Sequence, residues 1–222
     1  MEGTERWSAR LLAISSLSII IRQPEFSVER SVMAEMDLVL VVAKIVEEMR
    51  KEGTSPSEQD WNRLAAQISN GFNAKKEEVA ILRFSPDSKM LSFVFPVKLS
   101  VVGSIPLTTT HSLAAKTIRD KRGEIVNNFP TYKHATVFEA VDLSDQEKAV
   151  PIQKIISSPM IVDGKIVGVI QVSRKARPGE PVGPDFTHAD LAQLATMGSI
   201  LGKYISELPA PSMARPKTPA KT

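Results

Sequence analysis

Residues 152–174 constrain the fold more than any other stretch. They read Ile-Gln-Lys-Ile-Ile-Ser-Ser-Pro-Met-Ile-Val, then Asp163-Gly164, then Lys-Ile-Val-Gly-Val-Ile-Gln-Val-Ser-Arg. An Asp-Gly pair between two β-branched runs suits a two-residue type I′ turn, because both central positions need positive φ. Such a turn sets the register: Val162 faces Lys165, Ile161 faces Ile166 and Met160 faces Val167. One face of the second strand then carries Ile166, Gly168, Ile170 and Val172, and the other Val167, Val169, Gln171 and Ser173. Both faces are largely apolar, so both are expected to be covered, with the hairpin in the middle of a sheet. Pro159 has no N–H to give a ladder and is expected at a bulge or where pairing has a gap.

Charge and cysteine content narrow the chemistry. A chain of 222 residues, 42% hydrophobic, suggests one domain with extensions and a proper core. The net charge of +3 lies in the tail after Leu208, which holds Arg215, Lys217 and Lys221 and no acid. The body is neutral, so no nucleic-acid partner is expected. There is no cysteine, which excludes disulfides, thiolate metal sites and cysteine nucleophiles. His111, His134 and His188 lie far apart without metal-ligand spacing, and no metal site is expected. The chain shows no Gly-rich phosphate loop, no Ser elbow and no His-Glu-x-x-His.

Taken in order, residues 1–32 are hard to place. Leu11 to Ile21 is an apolar run broken by three serines, too short to span a bilayer. No small-residue cleavage site follows it, so an extension or a false start at a chain beginning with Met33 is favoured over a secretion signal. Residues 33–52 read as a helical arm. Leu38, Val42, Ile45 and Met49 repeat at the seam spacing of a helix pair and predict a homodimer; the rival is a helix turned onto its own domain through Val39, Leu40 and Val41. Residues 53–208 read as the domain proper. Ser55-Pro56-Ser57-Glu58 predicts a helix start with Ser55 as cap and Glu58 closing a capping box, and Asn70-Gly71 a stop. Val79–Phe84 and Met90–Val97 are strands around the Ser85–Ser88 turn. A threonine among Thr108–Thr110 caps a helix through about Arg122, with Leu113, Ala114, Thr117 and Ile118 inward and Gly123 ending it. Glu124–Asn127 is a short strand. Residues 128–151 are a long irregular connection, of the kind that forms functional loops. Thr187-His-Ala-Asp190 opens a last helix, and residues 209–222 are a basic tail expected to lack order.

Three patches carry a family resemblance. Ser158-Pro159-Met160 with the acidic-glycine turn and Ile166–Val172, the helix-strand-turn-strand beginning, and Ile105-Pro106-Leu107 followed by a helix and Gly123-Glu124-Ile125-Val126 resemble GAF domains, the small-molecule-sensing modules of signalling proteins. The match covers roughly residues 55–207. It implies an α+β fold, a mostly antiparallel sheet of five or six strands with helices packed on it. It implies a noncovalent small-molecule sensor in signal transduction, cytoplasmic and not membrane-bound, with a partner protein as output. The ligand is unidentified. The alternative is a degenerate scaffold used for dimerisation or protein interaction without ligand. Cyclic-nucleotide-binding members carry Asn-Lys after the last strand, then Phe, three residues and Asp-Glu. Lys175, Phe186 and Asp190 match that pattern, while Arg174 and Leu191 replace its Asn and Glu. A Lys175–Asp190 ion pair is expected as a structural lock. The bilin-binding and free methionine sulfoxide reductase branches use a cysteine that this chain lacks, so an enzyme is not expected.

The resemblance places a pocket under the 127–138 segment. Candidate ligand contacts are Asn127, Asn128, Tyr132 and His134 on that segment, His111 at a helix start, where anions are favoured, and Phe93 on the second strand. For each, an ordinary structural role (loop satisfaction, a cap neighbour, core) competes with ligand contact. Met90 and Met160 are read as core filling.

Overall fold

The computed structural model describes residues 24–53, 55–100, 104–131 and 150–209, with backbone alone for 24–36 and 131. The helices are α1 (Pro24–Lys51), α2 (Glu58–Gly71), α3 (Val97–Ser100), α4 (Leu113–Asp120) and α5 (His188–Glu207). The strands are β1 (Val79–Ser85), β2 (Met90–Phe95), β3 (Ser104–Pro106), β4 (Glu124–Val126), β5 (Ile152–Val162) and β6 (Lys165–Lys175). The six strands form one sheet in the order β3-β2-β1-β6-β5-β4. Every neighbouring pair is antiparallel. The expected α+β architecture is therefore the observed one, and the hairpin β5–β6 is interior on both sides. Helix α1 spans two compact units, one ending at Ala34 and one beginning at Glu35 that holds all later elements.

At the hairpin, Asp163 and Gly164 both have positive φ, 48° and 74°. Val162 faces Lys165 and Ile161 faces Ile166, as the turn dictates. Met160, however, faces Gly168 and not Val167, because the register shifts between Met160 and Ile161. One extra residue on β6 is a β-bulge, and it moves side chains to the other face on either side of it. Val167 therefore joins Ile170 and Val172 on the helix-covered face, while Ile166 crosses to the opposite one. Pro159 pairs with Val169 on β6 and lies beyond Ser157, the end of the pairing with β4. Its missing N–H thus falls where β5 has run past its outer neighbour.

One face of the sheet packs on α1, α2 and α5. Val42, Ile45, Val46 and Met49 share a buried core with Trp61, Leu64 and Ile68 of α2 and Leu194, Met197 and Leu201 of α5. The stripe expected to meet a second copy is thus covered by the chain's own domain. Leu38 closes on α2 so tightly that a Cβ on Gly71 would lie 1.9 Å from its Cδ2. The rival expectation also needs correction: Leu40 and Val41 point outward. The spacing of three and four is common to a coiled-coil seam and a core-facing helix, so it identifies a face without saying what covers it. Arg63 on α2 pairs with Glu48 at 2.8 Å, Arg50 with Glu207 at 2.8 Å, and Trp61 meets Tyr204 with ring centroids 6.3 Å apart. These contacts make the 35–51 part of α1 parallel to α5, with α2 antiparallel to both.

Three helix boundaries differ from expectation. The cap of α2 is Ser57, not Ser55, and its box partner is Asp60, not Glu58. Asp60 accepts from the Ser57 N–H at 2.8 Å and from its hydroxyl at 2.7 Å, which holds its carboxyl below the usual range. Ser112, not a threonine, caps α4, and Lys121 takes the left-handed terminal position at φ 53° that Gly123 was expected to fill. Gly123 is small for another reason: a Cβ there would lie 2.8 Å from Leu191 and 3.2 Å from the Ser157 carbonyl. Among the described residues no helix is long and apolar enough to cross a membrane.

Candidate functional site

The sheet face away from α1, α2 and α5 is the candidate site. Leu82, Leu91, Phe93, Ile105 and Val169 form its floor, and Ala114, Ala115 and Ile118 of α4 cover part of it. Alternation puts these side chains there, since residues two apart on a strand share a face. Beside this apolar floor lies a buried polar row. Gln171 Nε2 donates to Ser157 Oγ at 3.0 Å, and Ser157 Oγ lies 2.7 Å from Thr117 Oγ1. Thr117 Oγ1 donates to the Leu113 carbonyl at 2.9 Å. A hydroxyl carries one proton, so the directions follow: Gln171 gives to Ser157, Ser157 to Thr117, and Thr117 to the α4 backbone. The row ties β6, β5 and α4 together within an apolar wall. At the edge of α4, Lys116 Nζ donates to Glu124 at 2.7 Å, fixing the helix to β4.

The expected ligand contacts do not gather as one constellation. Phe93 is buried in the floor. His111 is exposed, just before the α4 cap. Asn127 serves the backbone: its Nδ2 donates to the Phe186 carbonyl at 3.0 Å, and its Oδ1 accepts from the Phe186 N–H at 2.9 Å. Asn128 is exposed next to it. Tyr132 and His134 lie outside the described residues. Sequence reasoning missed Ser157 and Gln171 as site residues. The available signal was their polarity inside otherwise apolar strands.

Lys175 and Asp190 are each engaged elsewhere. Lys175 Nζ donates to the Glu77 carbonyl at 3.2 Å. Asp190 closes the α5 capping box with Thr187, accepting from its N–H at 2.7 Å. The position next door does the locking. Arg174 is only 6% exposed, its guanidinium carbon lies 4.4 Å above the Phe186 ring, and its Nη1 donates to the Asn73 carbonyl at 3.0 Å. Burial lowers its proton affinity, and the fields of Asp190 and Glu78 oppose that. Glu78 in turn is buried and accepts from the Lys75 N–H at 2.7 Å and from the Lys175 N–H.

The strap between β6 and α5 is thus held three ways: Asn127 on the Phe186 backbone, Arg174 on its ring, and Lys154 on the Gly183 carbonyl and Asp185, both at 2.7 Å. Asn127→Ala is expected to cost about 2 kcal/mol, because it strands a backbone donor and acceptor that are partly buried. Chemical denaturation would read this as a lower midpoint. An unchanged midpoint would mean that the clamp carries no stability.

A separate cleft of about 400 Å³ opens on the helical side, lined by Pro56, Trp61, Val94 and Val97. Arg83 spans it and donates to the carbonyls of Leu208 at 2.9 Å and Pro209 at 2.6 Å. Its guanidinium is committed to ending α5 and is not presented to a ligand.

No family model matches the chain, and no curated protein matches it. Solved structures do. The GAF domain of a phosphoenolpyruvate-protein phosphotransferase from Acinetobacter is 15% identical, with 78% of this chain and 92% of that chain covered at a TM-score of 0.54. A GAF domain from A. Aeolicus, in an inactive state, is 13% identical over 79% of this chain and 98% of that one, at 0.52. A free methionine-R-sulfoxide reductase from Neisseria meningitidis, in complex with its substrate, is 15% identical over 78% and 88%, also at 0.52. The fold of this chain is therefore that of GAF domains. At these identities the likeness is one of fold, and it spans regulatory and catalytic proteins alike.

Proposed function

We propose that this chain is a regulatory GAF-fold protein that binds a small molecule noncovalently on the face bearing Gln171, Ser157 and Thr117, and acts through a partner protein in the cytoplasm. The observation that carries the reading is the polar row itself. A few placed polar groups in an apolar wall are what fixes a ligand's orientation, and the row joins the helix α4 to two central strands. The absence of cysteine leaves no thiolate for reductase chemistry. The test is native mass spectrometry of the protein purified from its own host, alongside Gln171→Leu. Expected are a bound small mass in the parent, its loss in the variant, and unchanged circular dichroism in both. An empty parent overturns the sensor reading.

One observation favours a second reading, a scaffold without ligand. Ala115, Thr117 and Ser157 are already sealed between α4 and the sheet. In that case the row is a core network that specifies packing, and Gln171→Leu lowers stability in a protein that carries no bound mass.

A further inference from the structure

We propose that the outer face of α1 is a self-association surface, on which a second copy of this chain docks antiparallel. Leu40 and Val41 are 61% and 42% exposed, although Val42, Ile45, Val46 and Met49 of the same helix are buried in the domain. With Ile161 they are the large exposed apolar side chains among the described residues. At about 100° per residue, Asp37, Leu40, Val41 and Lys44 fall within one arc of roughly 100°. All four are exposed. Asp37 and Lys44 lie almost in line, one on each side of the apolar pair and about 10 Å apart along the axis.

This arrangement is its own complement. A two-fold axis through the midpoint of Leu40 and Val41, perpendicular to α1, brings Asp37 of each copy opposite Lys44 of the other. The four apolar side chains meet at the axis. Every contact then occurs twice, as an isologous interface requires. A parallel pairing in register would instead set Asp37 against Asp37 and Lys44 against Lys44. Charge therefore selects the antiparallel arrangement, and the apolar pair supplies the attraction. The contact is small, at the weak end of stable interfaces, so association is expected at roughly tens of micromolar protein. The inference concerns a surface remote from the polar row and does not depend on whether a ligand binds there.

Sedimentation velocity on the full chain tests it. The parent is expected to dimerise. Asp37→Lys and Lys44→Asp, each alone, put like charges opposite one another and are expected to sediment as monomers. An equimolar mixture of the two variants restores both charge pairs and is expected to give a heterodimer, and the double variant D37K/K44D is expected to dimerise by itself. Leu40→Glu is expected to be monomeric. These positions are exposed, and circular dichroism verifies that each variant is folded. A monomeric parent at these concentrations overturns the proposal. So do single reversals that dimerise like the parent, or a mixture that stays monomeric.

Discussion

Gly168→Ala is expected to cost the domain about 3 kcal/mol, near the upper end for overpacking. A Cβ at this position would lie 2.2 Å from the Leu82 carbonyl oxygen and 2.4 Å from the Met160 methyl. The methionine can swing away, but the carbonyl belongs to β1, which is hydrogen-bonded to β6 at this point. Relief requires the two central strands to part. In a domain of this size the loss corresponds to a melting temperature lower by about 10 °C. Gly198→Ala is the matched control. Its nearest neighbour would be Ile170 Cγ2 at 3.3 Å, a side chain that can yield. Alanine also favours the helix by about 1 kcal/mol, so this variant is expected to stay within about 1 kcal/mol of the parent. Urea midpoints for the two variants decide the matter. Equal losses would mean that strand approach at Gly168 is not what the glycine provides. Met160 explains the pattern, since it occupies a fully buried slot whose walls are Gly168, Gly198 and Gly202.

Arg174→Met is expected to be comparably damaging, at about 3 kcal/mol. The variant keeps much of the side-chain volume, so the loss isolates the guanidinium. It removes a cation–π contact with Phe186, worth about 1 to 2 kcal/mol when desolvated. It leaves the Asn73 carbonyl without that donor. It also withdraws the positive field felt by the buried Glu78 carboxylate, and stranding one charge of a buried set is the costly case. Lys175→Met, in contrast, is expected to cost under about 1 kcal/mol, because Lys175 reaches its carbonyl partner at an exposed site. Thermal melts of both variants give the ranking. A larger loss at Lys175 would return the lock to the position that the family pattern suggests.

The sequence made the central hairpin legible because Asp163-Gly164 is a local signal: two residues decide the turn, and the turn decides the register beside it. That reasoning stops at Met160. The bulge is set by how closely β1 approaches Gly168, a contact between segments far apart in the chain. The stripe on α1 was legible as a stripe, and its covering was not, because the apolar faces of α2 and α5 compete for it with any second copy. Helix starts were legible as regions, but the choice between Ser55 and Ser57 rested on which acid closes the box. At the candidate site, Phe93 and the inward Thr117 follow from alternation and helix phase. The role of Asn127 does not, since Phe186 decides it from another part of the chain. The lock was placed one residue late: the family pattern points to Lys175, whereas strand alternation buries Arg174 and turns it onto Phe186.

The parallel course of α1 and α5 has an electrical consequence. Two helices that end side by side bring two sets of unpaired carbonyls together, each equivalent to roughly half a negative charge. Glu47 and Glu207 add full negative charges at the same place. Arg50 stands among them, 2.8 Å from Glu207 and 3.0 Å from Glu47, and its grip on its proton is strengthened chiefly by the hydrogen bond to Glu207. One guanidinium thus serves as counter-ion to both helix ends. The N-terminus of α2, running the opposite way, brings the partial positive charge of its own dipole to the same end of the layer. The three helices are arranged as a negative, positive, negative set, with Arg50 supplying the charge that the alternation lacks.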